Sequence, residues 1–373
     1  MQVVIVSTFD TYFDRVNLLR EYYSLRGAEV LVLTSDFSHR KKTRYENERA
    51  DIQLPVMAYK KNLSAHRLYS HHDFSKKVVY ELENIKPDLI HALIPCNSLV
   101  KALAKYKQKT GARLIFDVND LWPETMPIQR FKTLYPFQMW RRLRDDFIDV
   151  ADQIYVECHL FQELLKKKND EKVHTLYWSR LEEPIQCTFI EKKTFNFCYL
   201  GSINHIIDID LIVRFLDLMN RKKKTVFHII GNGESKENLI QRVQELGVQV
   251  IDHKEVYKQE EKQAIFDQCD YGFNVMKSSV VVGLTMKSLD YMCAGLPLIN
   301  TIQGDTKTLC ESRNIGWNIN KETMEEVVDL IYKESAKDLV QKRINIQKVY
   351  KEYFTKDSFF DVLDETNVLG EEQ

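Results

Sequence analysis

The sequence lacks several features that would point to particular classes of protein. No apolar run approaches the roughly 20 residues that a helix needs to span a bilayer. The seven cysteines are scattered without CxxC spacing, so neither a disulfide framework nor a zinc site is predicted. The turn after the first apolar run, 7–10, contains no glycine, and the missing GxGxxG loop argues against an NAD enzyme.

A basic segment before the first apolar run is also absent. The run Val3 to Val6 is therefore predicted to be a strand, and not part of a signal peptide. We expect a cytoplasmic protein, and the inner face of the membrane is a second location to consider.

Net charge is close to balance, at −1 overall, but the two halves differ in sign. Residues 1–180 have an excess of lysine and arginine, and the remainder has an excess of acids. The positive net charge of residues 1–180 would favour peripheral contact with an anionic membrane. Unequal numbers of charged residues on solvent-exposed faces would produce the same difference between the two halves. Aromatic residues alternate with arginines at 131–143, which is typical of an interfacial segment and equally of a helix with aromatic core contacts. No nucleic-acid partner is expected.

The chain contains two series of short apolar runs that alternate with helical spacing, one from Val3 onward and one from Phe195 onward. A length of 373 residues favours two domains. The pattern predicts an α/β fold with two Rossmann-like domains, residues 1–180 and 190–350, facing each other across a cleft. A C-terminal helix at 356–367 is expected to pack back on the first domain.

The stretch 274–305 predicts a strand, a loop and a helix from about Met286 to Cys293. The first-turn amides of such a helix lack partners and its dipole is positive there, which suits an anion. Lys287 lies in that turn, and Asp290 follows on nearly the same face. Amides, a cation and a carboxylate together fit the diphosphate and ribose of a nucleotide sugar. An ordinary βαβ crossover would show the same pattern, and this alternative stays open.

Glycine-containing loops follow three predicted strands of the second domain. Because the carboxyl ends of parallel strands meet at one edge, these loops are expected to line one crevice. The loops contain Gly201 and Ser202; Gly231, Asn232 and Gly233; and Gly283, Leu284 and Thr285.

In the first domain, a polar loop with a proline follows the strand 114–118 and contains Asn119, Asp120 and Glu124. Its carboxylates could serve acid–base chemistry or orient sugar hydroxyls, or be a helix cap and a solvent-facing side chain. The adjacent His71 and His72 do not share a helix face, which argues against a metal pair. We expect a surface position for either histidine.

The arrangement resembles the GT-B glycosyltransferases, and its motifs are most similar to glycosyltransferase family 4, in the branch for bacterial capsular and exopolysaccharide biosynthesis. The motifs that carry the resemblance are 88–91 (DLIH), 116–124 (FDVNDLWPE), 199–202 (YLGS), 229–233 (IIGNG) and 283–297.

The resemblance implies that the second domain binds a nucleotide diphosphate sugar and the first binds the acceptor. Gly283, Leu284 and Thr285 would then contact the diphosphate and sugar, Gly201 and Ser202 the phosphates, and Gly231, Asn232 and Gly233 the nucleoside. Asp290 would hold the ribose, as the last position of the family's E-x7-E motif. Catalytic roles fall to Asn119, Asp120 and Lys287, and acceptor contacts to His71 and Glu124.

The sequence departs from the family pattern at several positions. Val282 replaces the first glutamate of E-x7-E, and Asp290 is shorter than the usual second one. Asn119 stands where a histidine is frequent. Asn204 and His205 replace an arginine and a lysine, which leaves Lys287 as the expected phosphate cation. These changes leave the donor sugar and the stereochemistry open.

The expected function is therefore glycosyl transfer of the hexosyltransferase type (EC 2.4). A sugar would be transferred from a nucleotide diphosphate sugar to a lipid-linked saccharide acceptor, in the synthesis of a cell-surface polysaccharide. Retention is expected, with no metal and no other cofactor. A non-catalytic GT-B subunit that stabilises a partner transferase is the alternative, favoured by Val282 and Asn119. A sugar-nucleotide epimerase is a third reading, although it would need more acid–base carboxylates.

Overall fold

The computed structural model describes residues 1–126, 134–188 and 193–370. The chain divides into two compact units. Unit 1 comprises Met1–Trp178 with Phe359–Gln373, and unit 2 comprises Ser179–Ser358. Each unit is built around its own parallel sheet.

The sheet of unit 1 has seven strands in the order β5-β2-β1-β6-β7-β8-β9, and every pair is parallel. Its strands are β1 Gln2–Ser7, β2 Glu29–Ser35, β5 Ile52–Leu54, β6 Leu89–Ile94, β7 Arg113–Val118, β8 Gln153–Val156 and β9 Val173–Thr175. A separate antiparallel pair consists of β3 Phe37–Ser38 and β4 Thr43–Arg44.

Helices cover both faces of this sheet, which explains why its central strands are buried and mostly apolar. The helices are α1 Phe13–Leu25, α2 Ala65–Ile85, α3 Asn97–Thr110, α4 Tyr135–Asp145 and α5 His159–Leu164, with short 3-10 turns at Asp10–Tyr12 and Ile148–Val150. Ser64 caps the start of α2 by accepting the Arg67 amide, and α3 ends at Gly111 in the left-handed conformation.

The sheet of unit 2 has six parallel strands in the order β12-β11-β10-β13-β14-β15. They are β10 Phe195–Leu200, β11 Thr225–Ile230, β12 Gln249–Asp252, β13 Tyr271–Asn274, β14 Leu298–Asn300 and β15 Gly316–Asn318. The accompanying helices are α6 Ile209–Lys222, α7 Lys236–Glu245, α8 Gln259–Phe266, α9 Met286–Ala294, α10 Asp305–Arg313, α11 Met324–Lys333 and α12 Ala336–Tyr353. Two parallel α/β units confirm the predicted fold class.

The last helix, α13 Lys356–Glu365, spans the boundary between the two units. Its residues Phe359 and Leu363 are buried in the same core cluster of unit 1 as Phe13 and Leu19 of α1. Aromatic and aliphatic side chains spaced one turn apart therefore attach the end of the chain to unit 1.

Some elements have little signal in the sequence. The polar, basic segment 36–58 contains β3, β4 and the edge strand β5, and it buries Phe37 and Leu54 in the core. The amphipathic stretch 322–353 forms two helices, because Ser335 and Asp338 form a capping box that starts α12. Strand β15 and helix α10 were not predicted.

The aromatic and arginine-rich segment 131–143 lies partly outside the described residues, since 131–133 are not described. The remainder belongs to α4, where Trp140 and Arg144 are buried while Tyr135 and Met139 are exposed. The buried Trp140 agrees with aromatic core contacts for this helix, whereas an interfacial role for the segment stays a prediction. Among the described helices, none has the length and apolar character that crossing a membrane requires.

Candidate active site

The first two glycine loops of unit 2 pack directly on each other at the carboxyl ends of β10 and β11. Gly201 and Gly231 have φ values of +110° and +134°. A Cβ on Gly231 would lie 2.2 Å from the carbonyl oxygen of Gly201, and one on Gly233 would lie 2.3 Å from that of Ile203. Only glycine allows this approach. Ser202 and Asn232 are exposed beside them, so the two loops present one continuous edge of polar backbone.

Lys236 holds the second glycine loop in place from below. Its Nζ donates to the carbonyl oxygen of Gly231 at 2.8 Å and to Oδ1 of Asp252 at 2.7 Å. Lys236 stands where a dinucleotide loop would have its third glycine. The Lys236 side chain therefore fixes the loop by binding the Gly231 carbonyl, while Asn232 of the same loop remains exposed.

The third loop, which contains Gly283, Leu284 and Thr285, is buried and tightly bonded. The Gly283 carbonyl oxygen accepts from the amide and the hydroxyl of Thr306, at 3.0 and 2.8 Å. Thr285 and Ser288 form a capping box at the start of α9, in which the Thr285 amide donates to Ser288 Oγ at 3.3 Å. The Thr285 amide is thus engaged within the protein. The first-turn amides that no intrahelical acceptor can reach are those of Met286 and Lys287.

An asparagine at the end of each of three neighbouring strands supports this loop. The Thr285 hydroxyl donates to Asn274 Oδ1 at 2.7 Å, Asn274 Nδ2 donates to Asn300 Oδ1 at 3.0 Å, and Asn300 Nδ2 donates to Asn318 Oδ1 at 2.7 Å. These asparagines occupy paired positions on β13, β14 and β15. Sequence reasoning missed the ladder, although an asparagine that closes an apolar run was a visible signal.

Lys287 connects the third loop to the first. Its Nζ donates to the Tyr199 hydroxyl at 2.9 Å and lies 4.3 Å from the centre of that ring. The Tyr199 hydroxyl in turn donates to the Ser202 carbonyl at 3.0 Å. Burial lowers the Lys287 pKa to about 7. Within the described residues no carboxylate lies at ion-pair distance from it. The ammonium group is therefore short of water and of a counter-ion, and a bound anion would raise its pKa.

Asp290 is engaged with cations of its own unit. Its Oδ1 lies 2.8 Å from Lys262 Nζ, and its Oδ2 lies 3.3 Å from Arg180 Nη2. These side chains line a small cavity together with Phe266, Cys293 and Tyr350. Both carboxylate oxygens are thus occupied, and the role of Asp290 at the ribose stays a prediction.

In unit 1, the loop after β7 places its expected site residues in unequal settings. Asn119 is buried, and its Nδ2 donates to the Asp117 carbonyl at 2.9 Å. Asp120 accepts from Trp122 Nε1 at 2.6 Å and from the Thr125 hydroxyl, while burial raises the Asp120 pKa. Asn119 Oδ1 is buried and has no partner within the described part of the chain.

Glu124, expected to contact the acceptor, forms a bidentate pair with Arg144. The two oxygens accept from Nη2 and Nη1 at 2.8 and 3.1 Å. Arg144 is buried and also donates to the Trp122 carbonyl at 3.0 Å. The observed role of Glu124 is therefore to hold the loop, and its contact with an acceptor remains a prediction.

His71 corrects the expectation of a surface histidine. Its side chain is only 2% exposed and stacks on Trp122, with ring centroids 6.0 Å apart and an interplanar angle of 13°. Phe9 contacts it edge-on at 5.6 Å. Neither ring nitrogen has a partner among the described residues, and burial holds the His71 pKa well below its usual value. The buried spacing of α2 continues from Leu82 through Val78 and Phe74 to His71, and it could have predicted this position.

Glu157 is a second group in unit 1 that sequence reasoning missed. It directly follows β8, and Trp178 Nε1 donates to its Oε2 at 2.9 Å. Burial, with the charge of Asp120 as a smaller contribution, raises the Glu157 pKa to about 8. The carboxyl group is therefore protonated at neutral pH. In the part of the chain that the structure describes, no group of three or more metal-binding side chains lies together.

Residues 194–333 match the family model of glycosyl transferases group 1. The matched region covers most of unit 2 and contains all of its glycine loops. Among curated proteins, none matches the sequence significantly.

Solved structures of similar fold cover nearly the whole chain. Anabaena HepE in complex with UDP aligns with a TM-score of 0.70 and 13% identity, over 99% of this chain and 100% of that chain. WaaB, a lipopolysaccharide outer core galactosyltransferase, aligns with a TM-score of 0.67 and 12% identity, over 99% of both chains. Sucrose-phosphate synthase from Thermosynechococcus elongatus gives 0.67 and 10%, over 99% and 98%. At these identities the likeness establishes the GT-B fold.

The family match and the fold together support a transferase, as the sequence predicted. Assignment to family 4 and to the capsular branch stays a prediction. So do the individual roles of the site residues.

Proposed function

We propose that the protein transfers a sugar from a nucleotide diphosphate sugar to a hydroxyl group of a saccharide acceptor. The acceptor is lipid-linked in this proposal, and the product belongs to a cell-surface polysaccharide. Anomeric retention and independence from metal ions are part of the proposal and rest on the resemblance to family 4.

The observation that carries the proposal is the position of Lys287. Lys287 lies in the first turn of α9, its ammonium group donates to the hydroxyl of Tyr199 on β10, and no described carboxylate neutralises it. A departing diphosphate gains negative charge as the glycosidic bond breaks. Fixed cations and amides aimed at that charge stabilise the transition state because they need no reorganisation.

The donor would lie along the three loops of unit 2. In this arrangement the exposed Ser202 and Asn232 accompany the glycine backbone, and Leu284 closes the apolar side of the third loop. HepE binds UDP, and one of its structures contains UDP and glucose. These complexes support a sugar nucleotide as the donor for a chain of the same fold.

The acceptor would bind to unit 1 near Asn119, Asp120 and His71. WaaB, of the same fold, acts on lipopolysaccharide as a galactosyltransferase. Helix α4 adds support for a membrane-attached acceptor, because it exposes Tyr135 and Met139 together with Arg141 and Arg142. Aromatic and cationic side chains on one exposed helix suit an anionic membrane surface.

Donor hydrolysis tests the proposal. The purified chain is incubated with a panel of sugar nucleotides, and the released nucleoside diphosphate is quantified. At least one donor is expected to be hydrolysed slowly without acceptor. If no sugar nucleotide is either bound or turned over, the proposed function is wrong.

A second candidate is a non-catalytic subunit that binds and stabilises a partner transferase. The pairing of Asp290 with Lys262 and Arg180 favours it, because a carboxylate in two ion pairs is poorly disposed to bind ribose. The panel separates the two candidates: a subunit of this kind would hydrolyse none of the donors, even where it retains affinity for a nucleotide.

A further inference from the structure

Unit 1 encloses an arginine within a cluster of aromatic side chains. Arg67, from the first turn of α2, is only 2% exposed. Its guanidinium carbon lies 4.0 Å from the centre of the Trp122 ring, and 6.0 Å from those of Phe9 and Tyr59. His39 is half-buried and contacts Phe9 with ring centroids 4.9 Å apart, so the cluster reaches the surface at this histidine.

The hydrogen bonds of Arg67 are incomplete. Its Nη1 donates to the Asn62 carbonyl at 2.8 Å. Its Nε and Nη2 are buried and have no partner at hydrogen-bonding geometry among the described residues, although Arg67 acts on the nearby Tyr59 hydroxyl and offsets part of the rise that burial gives to the Tyr59 pKa. No ion pair is formed by this guanidinium within the same residues. A buried cation without a counter-ion is costly, and the stacking on Trp122 offsets only part of that cost.

The neighbouring groups leave Arg67 without a balancing charge in contact. Asp120 accepts from Trp122 Nε1 and the Thr125 hydroxyl. Asp10 accepts from the Ser38 hydroxyl at Oδ2 (2.6 Å), and its Oδ1 is buried without a partner among the described residues. The Tyr59 hydroxyl shares a hydrogen bond of 2.6 Å with His39 Nδ1. A second cation, Lys42, lies 4.7 Å from the centre of the Tyr59 ring.

His71 extends this unsatisfied surface. It lies one turn after Arg67 on α2, so both side chains project from the same face of the helix. Both of its ring nitrogens are buried without a partner, as are Nε and Nη2 of Arg67. Four polar atoms on this face of α2, two from Arg67 and two from His71, are therefore unpaired within the described residues.

The unpaired Nε and Nη2 of Arg67 indicate which chemical group would bind there. Nε and Nη2 form the edge of a guanidinium that binds two oxygens side by side, as in a carboxylate or a phosphate. We propose that Arg67 and His71 bind an anionic group of the acceptor, either a carboxylate on a sugar ring or a phosphate on its lipid carrier. The aromatic rings around them contact the apolar faces of the same molecule. This inference rests on the proposed transferase function and names its acceptor class.

Binding of matched probes to the full chain tests the proposal. Methyl β-glucuronide is compared with methyl β-glucoside for the carboxylate, and farnesyl phosphate with farnesol for the phosphate, by ligand-observed NMR. The wild type is expected to bind one anionic probe at least tenfold more tightly than its neutral counterpart. The pair that shows this preference identifies the source of the anion.

Arg67→Met removes the charge and retains the packing on Trp122. The preference for the anionic probe is expected to fall at least tenfold in this variant, while affinity for the neutral probe stays the same. Lys76→Met is the matched control, since Lys76 is exposed on the same helix. It is expected to retain the wild-type preference.

Thermal stability separates a binding role from a structural one. Because Arg67 is buried without a counter-ion, Arg67→Met is expected to unfold at the wild-type temperature or above it. A lower unfolding temperature would show that the guanidinium stabilises the fold, and would contradict the proposal.

Other outcomes also decide the question. Equal wild-type affinity for the charged and neutral member of both pairs would overturn the proposal, as would an unchanged preference in Arg67→Met. Binding of sugar nucleotides to unit 2 is recorded in the same samples. If the wild type binds sugar nucleotides but shows no preference for an anionic probe, only the proposed acceptor class is wrong. If the wild type binds no sugar nucleotide, the proposed transferase function is wrong.

Discussion

The two units present functional groups at the same part of the fold, the carboxyl edge of a parallel sheet, but by different means. Unit 2 presents backbone, shaped by Gly201, Gly231 and Gly233, with the cation Lys287 beside it. Unit 1 uses large side chains instead, and it buries Arg67 and His71 among aromatic rings.

This difference suggests how each edge selects its ligand. A backbone edge with one cation can bind any diphosphate of suitable shape, since amides recognise phosphate oxygens without reading the rest of the molecule. A buried set of side chains with unsatisfied polar atoms rejects ligands that leave those atoms unpaired. Under the proposed function, we therefore expect general phosphate binding by unit 2 and acceptor selection by unit 1.

The largest expected effect concerns the cation of unit 2. Lys287→Ala should lower donor turnover by about 10²- to 10³-fold, the usual cost of losing one group that stabilises a developing anion. Initial rates of nucleoside diphosphate release measure it. Folding should persist, because Nζ donates only to Tyr199 in the described structure.

Lys277→Ala is the control for that change, since Lys277 is exposed on the segment between β13 and α9. It should leave turnover unaltered. Full activity in Lys287→Ala would remove Lys287 from the site.

The backbone edge can be tested through stability. Gly231→Ala should cost about 3 kcal/mol, the upper end of the range for a strained backbone residue, because its Cβ would also meet the Gly201 carbonyl. Gly247→Ala should cost only about 1 kcal/mol, since Gly247 has φ +75° but nothing within 4 Å of the added atom. Urea unfolding of both variants provides the measurement. Equal costs would show that close packing of the two loops is unimportant.

The next prediction concerns how the protonated carboxyl group of Glu157 in unit 1 affects the pH dependence of stability. The Glu157 pKa is about 8 in the fold and about 4.3 in an unfolded chain. Because the Glu157 pKa is higher in the folded state than in the unfolded chain, the contribution of Glu157 to stability is fully present below about pH 4.3, the unfolded pKa. This contribution is lost as pH rises toward the folded pKa. The wild type should therefore lose stability relative to Glu157→Gln by at most about 1.4 kcal/mol per pH unit across this window.

Unfolding experiments on both proteins across that window check the slope. A constant difference between them at all pH values would mean that Glu157 is ionised in the fold.

The smallest effect is the pH dependence of donor affinity. The Lys287 pKa is about 7 without ligand, and a bound diphosphate raises it, so binding takes up a proton. Affinity should be greatest below that value and fall by at most about tenfold per unit as pH rises through the pKa of the complex. Calorimetry with a sugar nucleotide is suitable, because its diphosphate diester does not titrate there. Lys287→Met should show weak and pH-independent binding.

Much of the fold could be predicted because buried parallel strands are continuous apolar runs. Strand β1 is of this kind and was located closely from the sequence, and so was the mostly apolar β7. Strand β15 has only Gly316–Asn318 and helix α10 is mostly polar, so neither had a local signal. Their position depends on pairing with β14 and packing against it, which the local sequence does not encode.

The candidate site divides in the same way. The glycine loops of unit 2 were found because glycine marks sharp turns and close backbone approaches. Arg67 and Glu157 were missed because their burial results from packing between distant segments, such as α2 with the loop at Trp122. Unsatisfied polar atoms can be recognised only once those segments have been brought together.

The most direct test of the account is the thermal stability of the whole chain with nucleoside diphosphates and with the corresponding nucleosides. A ligand that binds only the folded state raises the unfolding temperature by mass action. The account predicts that one nucleoside diphosphate raises it well above the value with its nucleoside, and that Lys287→Met abolishes the difference. Equal shifts with diphosphate and nucleoside, or no shift with any diphosphate, would contradict the claim that unit 2 binds a diphosphate through Lys287.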